Sequence, residues 1–156
     1  MTFNYEGATF DDLDQRAVDK LIFEGGEGQF ILKAHLFIER LLDTAIKRAL
    51  RHPERLYSKN RLSFELKTDL ARSLGVLPER FVSPIRALNG LRNNVAHTDD
   101  FRPTIEQLRR LRLDWEPLQG RAFQAATAKR IGEAERIACL FLAWRCIHLV
   151  SESSHA

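Results

Sequence analysis

An all-α, up-and-down bundle of about five to six helices is the fold this sequence predicts, and three observations predict it. Apolar residues recur at helical spacing over most of the chain. Capping residues stand at the starts of these periodic segments. Proline and glycine are few, five and eight in 156 residues, so most of the chain reads as helix. The length and a 44% hydrophobic content suit a single domain over 1–156 with a real core.

Thr9-Phe10-Asp11-Asp12 has the form of a capping box and opens a helix over 9–23, with Leu13, Ala17 and Leu21 on one face. Gly25, Gly26 and Gly28 then break the helix. This segment lacks a Gly-Lys-Ser/Thr and carries two acidic residues that would repel phosphate, so it reads as a hinge. Residues 1–28 are thus an N-terminal helix and hinge ahead of a core bundle over 29–150.

The helix over 29–51 has a broad apolar face running from Phe30 through Phe37 and Leu41 to Ala49. His35 and Glu39 sit four apart on one edge of that face. Two ligands without a third make no metal site, so the pair reads as hydrogen bonding at a helix–helix border. After His52-Pro53, a polar basic loop runs to Arg61. Ser63 caps a helix over 63–74, with Leu66, Leu70 and Leu74 as its stripe and Gly75 as its C-cap.

The next helix, over 78–97, carries the one anomaly. Ser83 and Pro84 read as an N-cap and first helical position, and Leu88, Leu91 and Val95 mark the buried stripe. Arg92 falls roughly 45° from the centre of that stripe, where a leucine is expected. A buried guanidinium is costly, so Arg92 must either pair, with Glu39 and Glu65 as the candidates, or face a polar cleft. Asn93 and His97 share a more polar flank of the same helix. A DNA-reading helix-turn-helix, with Ala71-x-x-x-Gly75 at its turn, is opposed by Pro84 in mid recognition helix.

A short helix over 104–112 carries Arg109, Arg110 and Arg112, and Asp114 to Gly120 reads as a loop. The last helix, over 120–150, is apolar nearly all round from Ile137 to Val150. Such a helix is either central or half-covered by another subunit, which motivates a homodimer.

The net charge is only +3, yet 18 of the 24 basic residues are arginine. The arginine fork suits phosphate and carboxylate, but a GC-rich genome gives the same bias. The Arg109, Arg110 and Arg112 cluster is a solvated face or a phosphate-binding rim, and with Arg86 these are the residues that would bind RNA. Cys139 and Cys146 lie seven apart on one helix, roughly 10 Å by helical rise, too far to bridge. They read as free thiols of a reducing compartment. No signal peptide is expected from Met1 to Glu6, and the 14-residue apolar run is shorter than a bilayer span. A cytoplasmic location without a membrane partner is the expectation.

Arg92-Asn93-Asn94-Val95-Ala96-His97 resembles the Arg-x4–6-His signature of the HEPN superfamily, all-helical proteins found in toxin–antitoxin, CRISPR and phage-defence systems. The wider stretch from Leu62 to Phe101 is similar to the mannitol operon repressor branch. It has a capped helix ending Leu-Gly-Val, then Leu-Asn-x-Leu-Arg-Asn-x-x-Ala-His. His35-Leu36-Phe37-Ile38-Glu39-Arg40-Leu41-Leu42 fits the same branch. The resemblance covers roughly Gln29 to Phe101.

What it implies is a metal-independent endoribonuclease, without cofactor, working as a homodimer on RNA, with an antitoxin or regulatory protein as a further partner. Arg92 would stabilise charge on the scissile phosphate, and His97 would handle the proton of the 2′-hydroxyl or leaving oxygen. Asn93 occupies the polar position after the arginine, with Glu39 and His35 in support. Arg92 and His97 stand about 140° apart on one helix, so two copies must face across a two-fold axis. The same motif in members without known catalysis implies the alternative, a non-catalytic regulatory or interaction module.

Overall fold

Local side-chain hydrogen bonds set where several helices begin. In the computed structural model, which describes residues 2–23 and 29–151, the Thr9 hydroxyl accepts from the Asp12 amide while Asp12 accepts from the Thr9 amide, at 3.2 and 3.0 Å. This closed box starts α1 (Phe10–Val18), which runs on into a π-helical turn over Asp19–Phe23. Then come α2 (Phe30–Ala49), α3 (Pro53–Tyr57), α4 (Phe64–Ser73) and α5 (Glu79–His97). The chain ends in α6 (Ile105–Arg109), α7 (Pro117–Lys129) and α8 (Ile131–Ser151). Ser63 caps α4 through the Leu66 amide, and Gly75 closes it at a left-handed φ of 75°.

The fold is an all-α bundle with no strand among the described residues. The eight α-helices among the described residues exceed the five to six expected, for two reasons. Pro53, pre-set for a first helical position, starts α3 inside the stretch read as loop. The single long helix expected over 120–150 is two. Pro117 opens α7 within the 114–120 segment read as loop, and Arg130 (φ −165°, ψ 157°) is extended and breaks the run. The break lets α7 lie against α8 and bury Phe123 and Ala126.

Helix α8 is the centre of the bundle, packed by α2, α7, α1 and α6. Ala138, Cys139, Leu142, Ala143, Cys146 and Ile147 are 0% exposed. Its all-round apolar surface is therefore covered within one chain and gives no motive for a dimer. Leu13, Ala17 and Leu21 are equally buried, so α1 and the turn after it belong to the same core as α2–α8. The hinge read at Gly25–Gly28 lies outside the described residues. Burial pushes both thiols far up, which leaves Cys139 and Cys146 as small apolar side chains.

Two expectations about rotation and start points are corrected. Leu66, Leu70 and Leu74 are not the buried stripe of α4: Leu66 is half exposed, and Phe64, Thr68 and Ala71 face the core. One aromatic ring removes more apolar surface from water than a leucine, and Phe64 turns the helix to bury it. Helix α5 begins at Glu79, so Ser83 is no N-cap and Pro84 sits buried in the sixth helical position. The Arg80 carbonyl consequently loses its amide donor, at a cost of about 3 kcal/mol. Burying Phe81, Val82 and Ile85, at roughly 1.5–3 kcal/mol each, outweighs it. Proline therefore does not bar this helix, whose first half buries Phe81, Val82, Pro84 and Ile85 and leaves Glu79, Arg80, Ser83 and Arg86 exposed. Among the described residues, no helix is long and apolar enough to cross a membrane.

Candidate functional site: a polar cleft between α2, α4 and α5

Along one border of α2 the polar side chains recur every fourth residue: His35, Glu39, Asp43 and Lys47. Positions four apart share a helix flank, so this row forms one wall of a cleft of about 730 Å³. Helix α4 contributes Lys67, α5 contributes Asn89, Arg92 and Asn93, and Tyr57 closes one end.

Lys67 is the tie between α4 and α2. Its ammonium lies 3.0 Å from Asp43 Oδ1 and 3.4 Å from Glu39 Oε2, and is largely withdrawn from solvent. The Tyr57 hydroxyl donates to Asp43 Oδ1 at 2.9 Å. Burial, with the Asp43 carboxylate beside it, pushes the phenol well up and keeps it protonated.

His35 ties α2 to α5. Its ring stacks on Phe64 with centroids 4.1 Å apart. Its Nε2 lies 3.0 Å from Asn89 Oδ1, so Nε2 carries the proton and donates it. Burial holds the imidazole below its ordinary value; Asn89 and Glu39 oppose that shift, and Arg92 and Lys67 reinforce it. The reading of His35 as a helix-border hydrogen bond stands.

Arg92 has two settings open to it, an ion pair or a polar cleft, and the structure shows the second. It is exposed on the cleft, and among the described residues no carboxylate lies within ion-pair distance. Glu39 is taken by Lys67, and Glu65 lines the cleft without pairing to Arg92. Burial along α5 stops at Leu91, beyond which only Val95 is partly covered, so a side chain off the stripe centre reaches solvent. Arg92 is therefore not a strut of the bundle.

His97, the last residue of α5, is exposed and does not line the cleft. Within one chain the Arg92 and His97 side chains diverge by about 140° of helical rotation. The cleft thus unites His35, Glu39, Arg92 and Asn93 and leaves out His97 and the candidate RNA-binding arginines. Arg86 pairs with Asp69 at 2.9 Å, Arg109 with Glu106 at 3.7 Å, and Arg112 covers the Trp115 ring. Arg110 is exposed at the end of α6.

Sequence reasoning missed Asp43, Tyr57, Lys67 and Asn89. Asp43 continues the i, i+4 row from Glu39, and Asn89 stands one turn before Arg92, so both carried a periodic signal. Lys67 carried none, because its role depends on the rotation of α4. Arg40, Lys47 and Arg61 add positive charge along the cleft. Among the described residues no three of His, Cys, Asp and Glu gather as metal ligands. No protein-family model, curated protein or solved structure matches this chain.

Proposed function

We propose that the chain is an endoribonuclease of HEPN type, acting without metal or cofactor, whose site is completed when two copies face across a two-fold axis. The observation that carries this reading is the unpaired Arg92 on a polar cleft. A guanidinium that stabilises nothing in the fold is free to grip a phosphate with its donor fork.

In the reaction the 2′-oxygen attacks the adjacent phosphorus, the new O–P bond forms and the bond to the 5′-oxygen breaks. Arg92 donates to the non-bridging oxygens as their charge rises, and Asn93 beside it supplies a neutral donor. His97, brought in by the second copy, takes the proton of the 2′-hydroxyl or returns one to the leaving oxygen. The products are a 2′,3′-cyclic phosphate and a 5′-hydroxyl. Arg40, Lys47 and Arg61 give the strand a basic path into the cleft. A cytoplasmic toxin–antitoxin or defence setting fits such an activity, with an antitoxin or regulatory protein as its brake.

The test is cleavage of single-stranded and structured RNA in EDTA, with end-group analysis for the cyclic phosphate. Wild type should cleave, and Arg92→Ala and His97→Ala should not. A folded wild type that is inert on every RNA overturns the nuclease.

A second reading, a non-catalytic interaction module resembling the mannitol operon repressor, draws on Leu32 and Leu36. These sit one turn apart on the cleft, 41% and 51% exposed. Two exposed leucines beside a ring of charges suit a protein partner, whose capture by an inert wild type would favour this module.

A further inference from the structure

A second cavity, of about 600 Å³, lies where the C-terminal end of α2 and the end of α8 meet the start of α5. It shares no lining residue with the cleft of Arg92. Its size falls within the range of small-molecule sites, and its walls divide by chemistry. Ala45, Ala49, Val76, Phe81 and Leu149 give it an apolar side, while Arg48, Arg80 and Arg145 face it with one carboxylate, Asp114.

The three arginines are not equivalent. Arg48 donates to the carbonyls of Val150 and Glu6, at 2.7 and 2.8 Å, and holds the end of α8 and the N-terminal segment. Arg80 uses Nε on Asp114 Oδ2 at 2.8 Å, and among the described residues its terminal amino groups have no hydrogen-bond partner. Arg145 donates from Nη2 to the Asp114 carbonyl, and its Nε is buried without a partner. Asp114, a non-glycine residue with a left-handed φ of 49°, therefore positions both guanidinium groups at the cavity, one by its side chain and one by its carbonyl. The buried Arg145 Nε keeps an unmet donor, which a ligand acceptor would satisfy.

We propose that this cavity binds a small organic anion, its phosphate or carboxylate head held by Arg80 and Arg145 and its apolar body against Phe81 and Leu149. Asp114 gives its carboxylate to Arg80 and only a neutral carbonyl to Arg145, so among the described residues the Arg145 charge meets no carboxylate, and an anionic head neutralises it. The apolar wall selects against a bare inorganic ion.

Calorimetric titration with phenyl phosphate, phenylacetate and inorganic phosphate tests this. At least one organic anion should bind, the tighter of the two naming the head group, and inorganic phosphate should bind about tenfold more weakly or worse. Arg80→Gln and Arg145→Gln should each weaken binding about tenfold or more. Arg80 is mostly exposed, so its variant keeps the test open should Arg145→Gln fail to fold. The Arg145 Nε–H resonance should shift on binding. Absence of binding at millimolar ligand, equal affinity for inorganic phosphate, or unchanged affinity in both variants overturns the proposal. RNA cleavage is read at Arg92, so either result leaves the nuclease question separate.

Discussion

Helix α8 and the end of α5 invert each other. The last helix reads as a surface too apolar for one small bundle to cover, and four neighbouring helices cover it. Arg92 on α5 reads as a charge at the edge of an apolar stripe that must pair or face a polar cleft, and it stands exposed on the cleft with no carboxylate at ion-pair distance among the described residues. In neither case could the composition of the face alone choose between the two settings open to it. Burial belongs to the pair of surfaces that meet, and α8 has neighbours on every side where α5 beyond Leu91 has almost none.

The sharpest way to break this contrast is to cut into α8. Leu142→Ala should lower stability by about 2–5 kcal/mol in urea denaturation, since Leu142 is wholly buried. A loss below about 1 kcal/mol would mean that α8 is not central. Next in size is Lys67→Met, which leaves Asp43 and Glu39 beside each other without their shared cation. It should cost about 3 kcal/mol, and a thermodynamic cycle with Asp43→Asn should recover part of that. Strict additivity would reduce the tie between α2 and α4 to ordinary packing.

The pH dependence of stability reports on the buried His35. Burial holds His35 below its ordinary value, so the unfolded chain binds the proton more readily than the native one. Its contribution is complete above about pH 6.5 and declines as pH falls towards the lowered native value. Urea midpoints measured between pH 7.5 and 5 should fall with acid, and the fall should flatten in His35→Gln. An unchanged slope in that variant would assign the acid sensitivity to other groups.

The smallest effects on stability belong to the residues with the largest expected effect on RNA. His97→Ala should cost only its interaction with the α5 C-terminus, about 0.3–1 kcal/mol. Arg92→Ala should change stability by less than about 0.5 kcal/mol, as at an ordinary exposed site. Loss of cleavage with melting intact assigns function to both. An Arg92→Ala protein that unfolds would restore the arginine to a structural role.

Local chemistry in the sequence determined the helices themselves. Thr9 with Asp12, Ser63 and Gly75 announce two starts and one stop, because a cap is a hydrogen bond or a φ value settled within a few residues. The i, i+4 spacing likewise placed His35 and Glu39 on one border of α2 before any neighbour was known. Which way a helix turns is a competition among side chains for the same buried volume. Phe64 wins it on α4, exposing Leu66 and carrying Lys67 onto the carboxylates of α2. The extended Arg130 folds α7 back on α8, and burial that ends at Leu91 leaves Arg92 on the open cleft. Only the tertiary structure decided these, because each depends on surface contributed by residues far away in the chain.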